Sequence, residues 1–136
     1  MNCLFCRIVK GEIPSYKIYE DDFLIAILDI SQTTKGHTLV IPKKHSKNLF
    51  EIDSETYSQV SKKIPQLANA LKRAFSPIGL NLVINADKPL QTIDHFHIHL
   101  LPRYQEDNLE INFIKQPAKL DSAEFQTILT RIKEVL

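Results

Sequence analysis

One stretch constrains this chain more than any other: Asp94-His95-Phe96-His97-Ile98-His99-Leu100-Leu101, in which histidine alternates with apolar residues. Successive side chains of an extended strand point to opposite faces, so the spacing predicts His95, His97 and His99 on one face and Phe96, Ile98 and Leu100 on the other. The apolar face suits a core. The imidazoles then recur about every 6.6 Å, from a rise of about 3.3 Å per residue. A solvated polar face or a purification tag accounts poorly for this run, because a tag is contiguous and terminal whereas these histidines are interleaved with apolar residues inside the chain. One catalytic zinc shared by all three is also disfavoured: His95 and His99 lie about 13 Å apart along a strand, while zinc ligands each bring an atom to about 2 Å from the metal. The pattern fits covalent catalysis. Imidazole, with an ordinary pKa of about 6.5, is largely neutral and nucleophilic at neutral pH without an activating base. Attack on a phosphoryl group would form a phosphohistidine-type intermediate, with neighbouring imidazoles donating to the developing charge and the leaving group.

The remaining composition narrows the setting. At 136 residues, 43% hydrophobic and 24% charged, the chain reads as a single globular domain over residues 1–136. Lys plus Arg is 17 against 16 Asp plus Glu, a formal charge of +1, which gives no broad positive field for a nucleic-acid backbone. Both cysteines fall within the first six positions, where a bridge would close too short a loop to staple a fold. Lys10, Glu12, Lys17 and Glu20 to Asp22 interrupt the N-terminal region, leaving neither a signal-peptide core nor a run of about 20 apolar residues. The expectation is a cytoplasmic protein with no membrane association.

Periodicity supplies the elements. Residues 16–19 and 23–28 read as a hairpin, residues 37–41 as a strand closed by Pro42, and residues 80–85 and 92–101 as two further strands around a turn at 86–90. Residues 53–75 carry a helical stripe with a kink expected at Pro65, and residues 121–136 repeat the pattern. Five strands and two main helices predict an α+β fold around an antiparallel sheet. Cys3 and Cys6, two residues apart, could share a metal, act as a redox pair or be inert thiols; no convincing helix follows them.

The run His95 to Leu101 resembles the His-φ-His-φ-His-φ-φ signature, with φ apolar, of the histidine triad nucleotide hydrolases and transferases. Cys3 to Val9, Gly11 to Ser15, Leu28 to Ser31, Gly36 to Lys43 and Pro102 to Tyr104 resemble the bacterial branch of that family in the same order, so the likeness covers residues 1 to about 104, and the tail from Gln105 carries no readable motif. The resemblance implies a homodimer with one sheet continued across two chains, and hydrolysis at the α-phosphate of a purine nucleotide conjugate such as a phosphoramidate or dinucleoside polyphosphate. By the same likeness His97 is the nucleophile, His99 assists the leaving group and His37 supports the site. Asp29 is the ribose carboxylate; Asn85 and Thr92, with Gln91 beside them, contact phosphate, and Phe5, Ile8, Ile30 and Leu39 form the base pocket. It further implies one structural zinc per chain on Cys3, Cys6, His45 and His95. One departure stands out: Leu90 occupies a position where relatives usually have glycine. The alternative function is a nucleotide-binding regulatory module with negligible turnover.

Overall fold

The computed structural model describes residues 2–110 and 119–136; part of the tail after Gln105 therefore lies outside the described residues. The elements run α1 (Leu4–Val9), β1 (Lys17–Glu20), β2 (Leu24–Leu28), β3 (Thr38–Pro42), α2 (Ser54–Ser61), α3 (Ile64–Phe75), β4 (Gly79–Val83), β5 (Ile98–Arg103) and α4 (Ser122–Val135). The five strands form one antiparallel sheet in the order β1-β2-β3-β5-β4. This is the α+β architecture expected from the sequence.

β2 explains why the sheet is covered on both sides. Leu24, Ile25 and Ala26 are consecutive and all fully buried, so neither face of that strand can meet water. Leu24, Ala26, Val40, Ile98 and Leu100 pack with Val60 of α2 and with Leu67 and Leu71 of α3. On the opposite face Ile25 and Ile27 stand beside Ile41 and Leu39 in register, and α1 covers them with Phe5 and Ile8. Phe96, Ile98 and Leu100 join the first face, as their alternation requires. The histidine side chains are thereby directed to the α1 face.

Three elements depart from the sequence reading. The strand expected over 92–101 joins the ladder only at Ile98, because the preceding backbone bonds elsewhere: Phe96 N–H donates to Ser46 O (2.7 Å) and His95 N–H to Ile93 O (2.8 Å). The helix expected over 53–75 is two helices. Pro65 has no N–H to bond back to Ser61, so it sits in the first turn of α3, where no intrahelical donor is needed, and starts a helix instead of kinking one. Finally, α1 is a six-residue helix where none was expected, with Cys3 at its N-cap accepting from Cys6 N–H (3.4 Å).

α4 begins with a reciprocal capping box between Asp121 and Glu124, and none of its residues is buried. Among the described residues, no helix is long and apolar enough to cross a membrane.

Candidate active site and metal centre

β5 and the extended segment before it bring His97 and His99 to one edge of the α1 face, where their ring centroids are 4.9 Å apart. That is closer than the backbone repeat of about 6.6 Å, so the rings lean together. His97 Nδ1 lies 2.7 Å from the carbonyl oxygen of His95. A carbonyl can only accept, so Nδ1 carries the hydrogen and Nε2 of the neutral ring keeps a lone pair. Across the sheet, Thr33 N–H donates to His37 Nδ1 (3.3 Å), which puts the His37 hydrogen on Nε2; that hydrogen is donated to His99 Nδ1 (2.9 Å). His99 Nε2 is left as a donor. Asp29 Oδ2 stands 3.6 Å from His37 Nε2. Burial, the largest influence on each ring, lowers the pKa of His37 and His97 and takes His99 down to about 4, so all three are neutral at neutral pH.

Beside these rings lies a cleft of about 440 Å³, lined by Phe5, Ile8, Asp29, Ile30, Leu39 and Thr92. All six were expected to touch a nucleotide. Phe5 and Leu39 form a buried floor and Ile30, 87% exposed, an open lip. The Phe5 ring meets the edge of His97 at 5.0 Å between centroids, joining the apolar floor to the proposed nucleophile. Asp29 Oδ1 accepts from Ser31 N–H (2.8 Å), which holds the carboxylate at the cleft. Ile27 and Ile93 also line the cleft and were missed. Ile27 could have been found from strand pairing, since it stands opposite Leu39.

The loop before the histidines is braced by one of the expected site residues. Gln91 is buried: Nε2 donates to Lys47 O (2.7 Å) and Ile93 O (2.8 Å), and Oε1 accepts from Asp87 N–H (3.1 Å). Both amide hydrogens are used, so Gln91 braces the loop and has none to offer a phosphate. Asn85 lies two residues beyond β4, whose Val83 stands opposite His99; its half-buried amide has no partner among the described residues. Leu90 is 67% exposed and is not among the residues with positive φ; Asp87, at φ 63, takes the left-handed conformation in this turn. The missing glycine therefore strains nothing.

The four expected metal ligands do converge. Cys3 Sγ lies 3.4 Å from His95 Nδ1, Cys6 Sγ is 3.3 Å from His45 Nδ1 and 3.6 Å from His95 Nδ1, and the two Nδ1 atoms are 3.1 Å apart. Bonds of about 2.3 Å to sulfur and about 2.0 Å to nitrogen in a tetrahedron give edges of about 3.5 Å between S and N and about 3.3 Å between N and N. The donor set therefore fits zinc. His95 Nε2 donates to Pro42 O (2.8 Å), fixing the tautomer whose Nδ1 lone pair faces the cluster, which is the outer support expected of a metal-binding histidine.

A model of the HIT domain matches residues 10–106. The chain belongs to the HIT family. Among its HIT-family relatives, "Protein hit" of Bacillus subtilis is 51% identical over 104 residues, covering 76% of this chain and 72% of the relative. Adenosine 5'-monophosphoramidase hnt1 of Schizosaccharomyces pombe is 38% identical over 108 residues (79% and 78%), and adenylylsulfatase HINT3 of Arabidopsis thaliana is 38% identical over 109 residues (79% and 55%). The crystal structure of a HIT family member from Bacillus subtilis superposes with a TM-score of 0.94 at 40% identity, covering 100% of this chain and 98% of that one. A zinc-bound histidine triad family protein from Mycobacterium smegmatis gives 0.75 at 35% identity, covering 100% and 99%. Within this HIT fold, the main-chain groups that set the ring tautomers, at Thr33, Pro42 and His95, were invisible to sequence reasoning.

Proposed function

We propose that this protein hydrolyses a purine nucleotide conjugate at its α-phosphate through a covalent nucleotidyl intermediate on His97. The observation that carries the reading is the bond from His97 Nδ1 to the His95 carbonyl, which leaves a lone pair on Nε2 of a neutral, buried ring. In the proposed sequence, Nε2 attacks the α-phosphorus, a P–N bond forms, and the bond from phosphorus to the leaving group breaks as that group takes up a proton from solvent. Water then attacks the same phosphorus and returns a proton to solvent, the P–N bond breaks, and the mononucleotide and neutral His97 are released. His99 Nε2–H donates to the phosphoryl oxygen that gains charge. Asp29 accepts from the ribose hydroxyls, and the floor of Phe5, Ile8 and Leu39 takes the base. The relatives named for phosphoramidase and adenylylsulfatase activities support a phosphoramidate or a mixed phosphate–sulfate anhydride as the conjugate class.

Cys3, Cys6, His45 and His95 would hold zinc, which closes its own ligand set and supplies structure, not chemistry. Thiolate ligands suit a reducing cytoplasm. The homodimer is supported by β4, a sheet edge with exposed Leu82, and by the exposed stripe of Phe125, Ile128, Leu129 and Ile132 on α4.

The test is hydrolysis of adenosine 5'-phosphoramidate by the wild type and by His97→Ala. A fall of about 10⁴-fold or more in kcat is expected for a lost nucleophile. Unchanged turnover removes His97 from that role; adenosine monophosphate binding without any wild-type turnover establishes the regulatory module instead.

A further inference from the structure

The zinc ligands do not exhaust the metal-binding chemistry of this chain. Asp29, His37 and His99 offer one donor atom each, all within 4.8 Å of one another. His37 Nε2 is 2.9 Å from His99 Nδ1 and 3.6 Å from Asp29 Oδ2. Those two spacings bracket the edge of about 3.3 Å that a tetrahedral ion with bonds of about 2.0 Å requires, and the third edge lies within 4.8 Å. Two imidazoles and one carboxylate suit a borderline divalent ion such as Zn²⁺ or Co²⁺ better than Mg²⁺ or Ca²⁺, which favour oxygen donors. The open cleft beside Asp29 leaves room for solvent to complete the coordination.

We propose that Asp29, His37 and His99 form a second, weaker site for a divalent transition-metal ion, and that the ion and the nucleotide exclude one another there. Weakness follows from the hydrogen-bond network. To present a lone pair at Nε2, His37 moves its hydrogen to Nδ1; no proton leaves the protein, but the bond from Thr33 N–H at 3.3 Å and the bond to His99 are both given up. The Cys2His2 cluster needs no such exchange at His95, whose lone pair already faces the other donors. Exclusion follows from the shared groups: an ion on Asp29 withdraws the proposed ribose acceptor, and an ion on His37 and His99 dismantles the donor pair beside the phosphate. This second part rests on the proposed nucleotide site; binding of the ion does not.

The experiment titrates Co²⁺ into protein already holding one zinc per chain, followed by calorimetry and visible absorption. The expected result is one further equivalent with visible d–d bands and no sulfur-to-cobalt charge-transfer band, since the second site has no thiolate. Asp29→Asn and His37→Gln should each weaken this equivalent by about 100-fold or more while retaining the first zinc, which also reports that they are folded. Added adenosine monophosphate should raise the apparent cobalt Kd in proportion to its concentration. Absence of a second equivalent, a thiolate spectrum, or undiminished binding in both folded variants overturns the site. Cobalt binding indifferent to adenosine monophosphate overturns the exclusion. Should either variant fail to fold, the wild-type spectrum and competition still decide. Failure of phosphoramidate hydrolysis alone would count against the proposed function and leave the metal result standing.

Discussion

Gly36 shows how one residue governs the placement of His37. Its φ is 92°, and a Cβ added there would lie 2.9 Å from Phe75 Cε2 and 3.3 Å from Pro102 Cγ. Gly36→Ala therefore meets both an unfavourable conformation and a clash; it should destabilise by about 1–3 kcal/mol, read as a lower urea midpoint at unchanged slope. The histidines predict a pH dependence. Burial places the folded pKa of His99 at about 4 and lowers that of His97 below 6.5, so the neutral rings persist as pH falls past 6.5 and are lost only on further acidification. The acid limb of kcat/KM should accordingly lie below pH 6.5; a limb at or above that value would contradict the desolvation seen here. The alternation of residues 95–100 made the triad legible, because it survives even where residues 95–97 leave the ladder. The bracing role of Gln91 was not legible, because local sequence does not reveal that Lys47, far along the chain, supplies a carbonyl to its amide.

Among the elements, α1 was the least legible, for a physical reason. Six residues are too few to form a stable helix alone, so its order comes from Phe5 and Ile8 packing on the sheet and from the cysteines at its start. Elemental analysis should find about one tightly held zinc per chain. Cys6→Ser should remove it, lower Tm by upwards of about 5 °C, and weaken adenosine monophosphate binding, since α1 carries one wall of the cleft. Full retention of binding in zinc-free protein would mean that α1 holds its place without the metal. The split between α2 and α3 was half legible: Pro65 marked the place, but whether proline bends a helix or begins one depends on the turn at Lys62 and Lys63, which periodicity does not report.

The whole molecule divides its labour by sheet face, with α2 and α3 supplying a conventional core on one side and the apolar cleft, the histidine triad and the cluster of two cysteines and two histidines sharing the other. The antiparallel class was legible from strand count and short connections. The insertion of β5 between β3 and β4 was not, because pairing between distant segments leaves no local period. β4 at the edge yields the prediction for assembly: light scattering should return twice the mass of one chain, and Leu82→Glu should shift the population toward monomer, whereas a monomeric wild type would remove the homodimer. The tertiary arrangement also stores the proton pattern of the site. Three main-chain atoms choose the ring tautomers: the Thr33 amide for His37, the Pro42 carbonyl for His95 and the His95 carbonyl for His97. Every amino acid brings a carbonyl, and every one but proline an amide hydrogen. An alanine scan would therefore leave this layer of the candidate site untouched and undetected. Backbone chemistry, such as replacing the amide of residue 33 with an ester, is the perturbation to which it would respond.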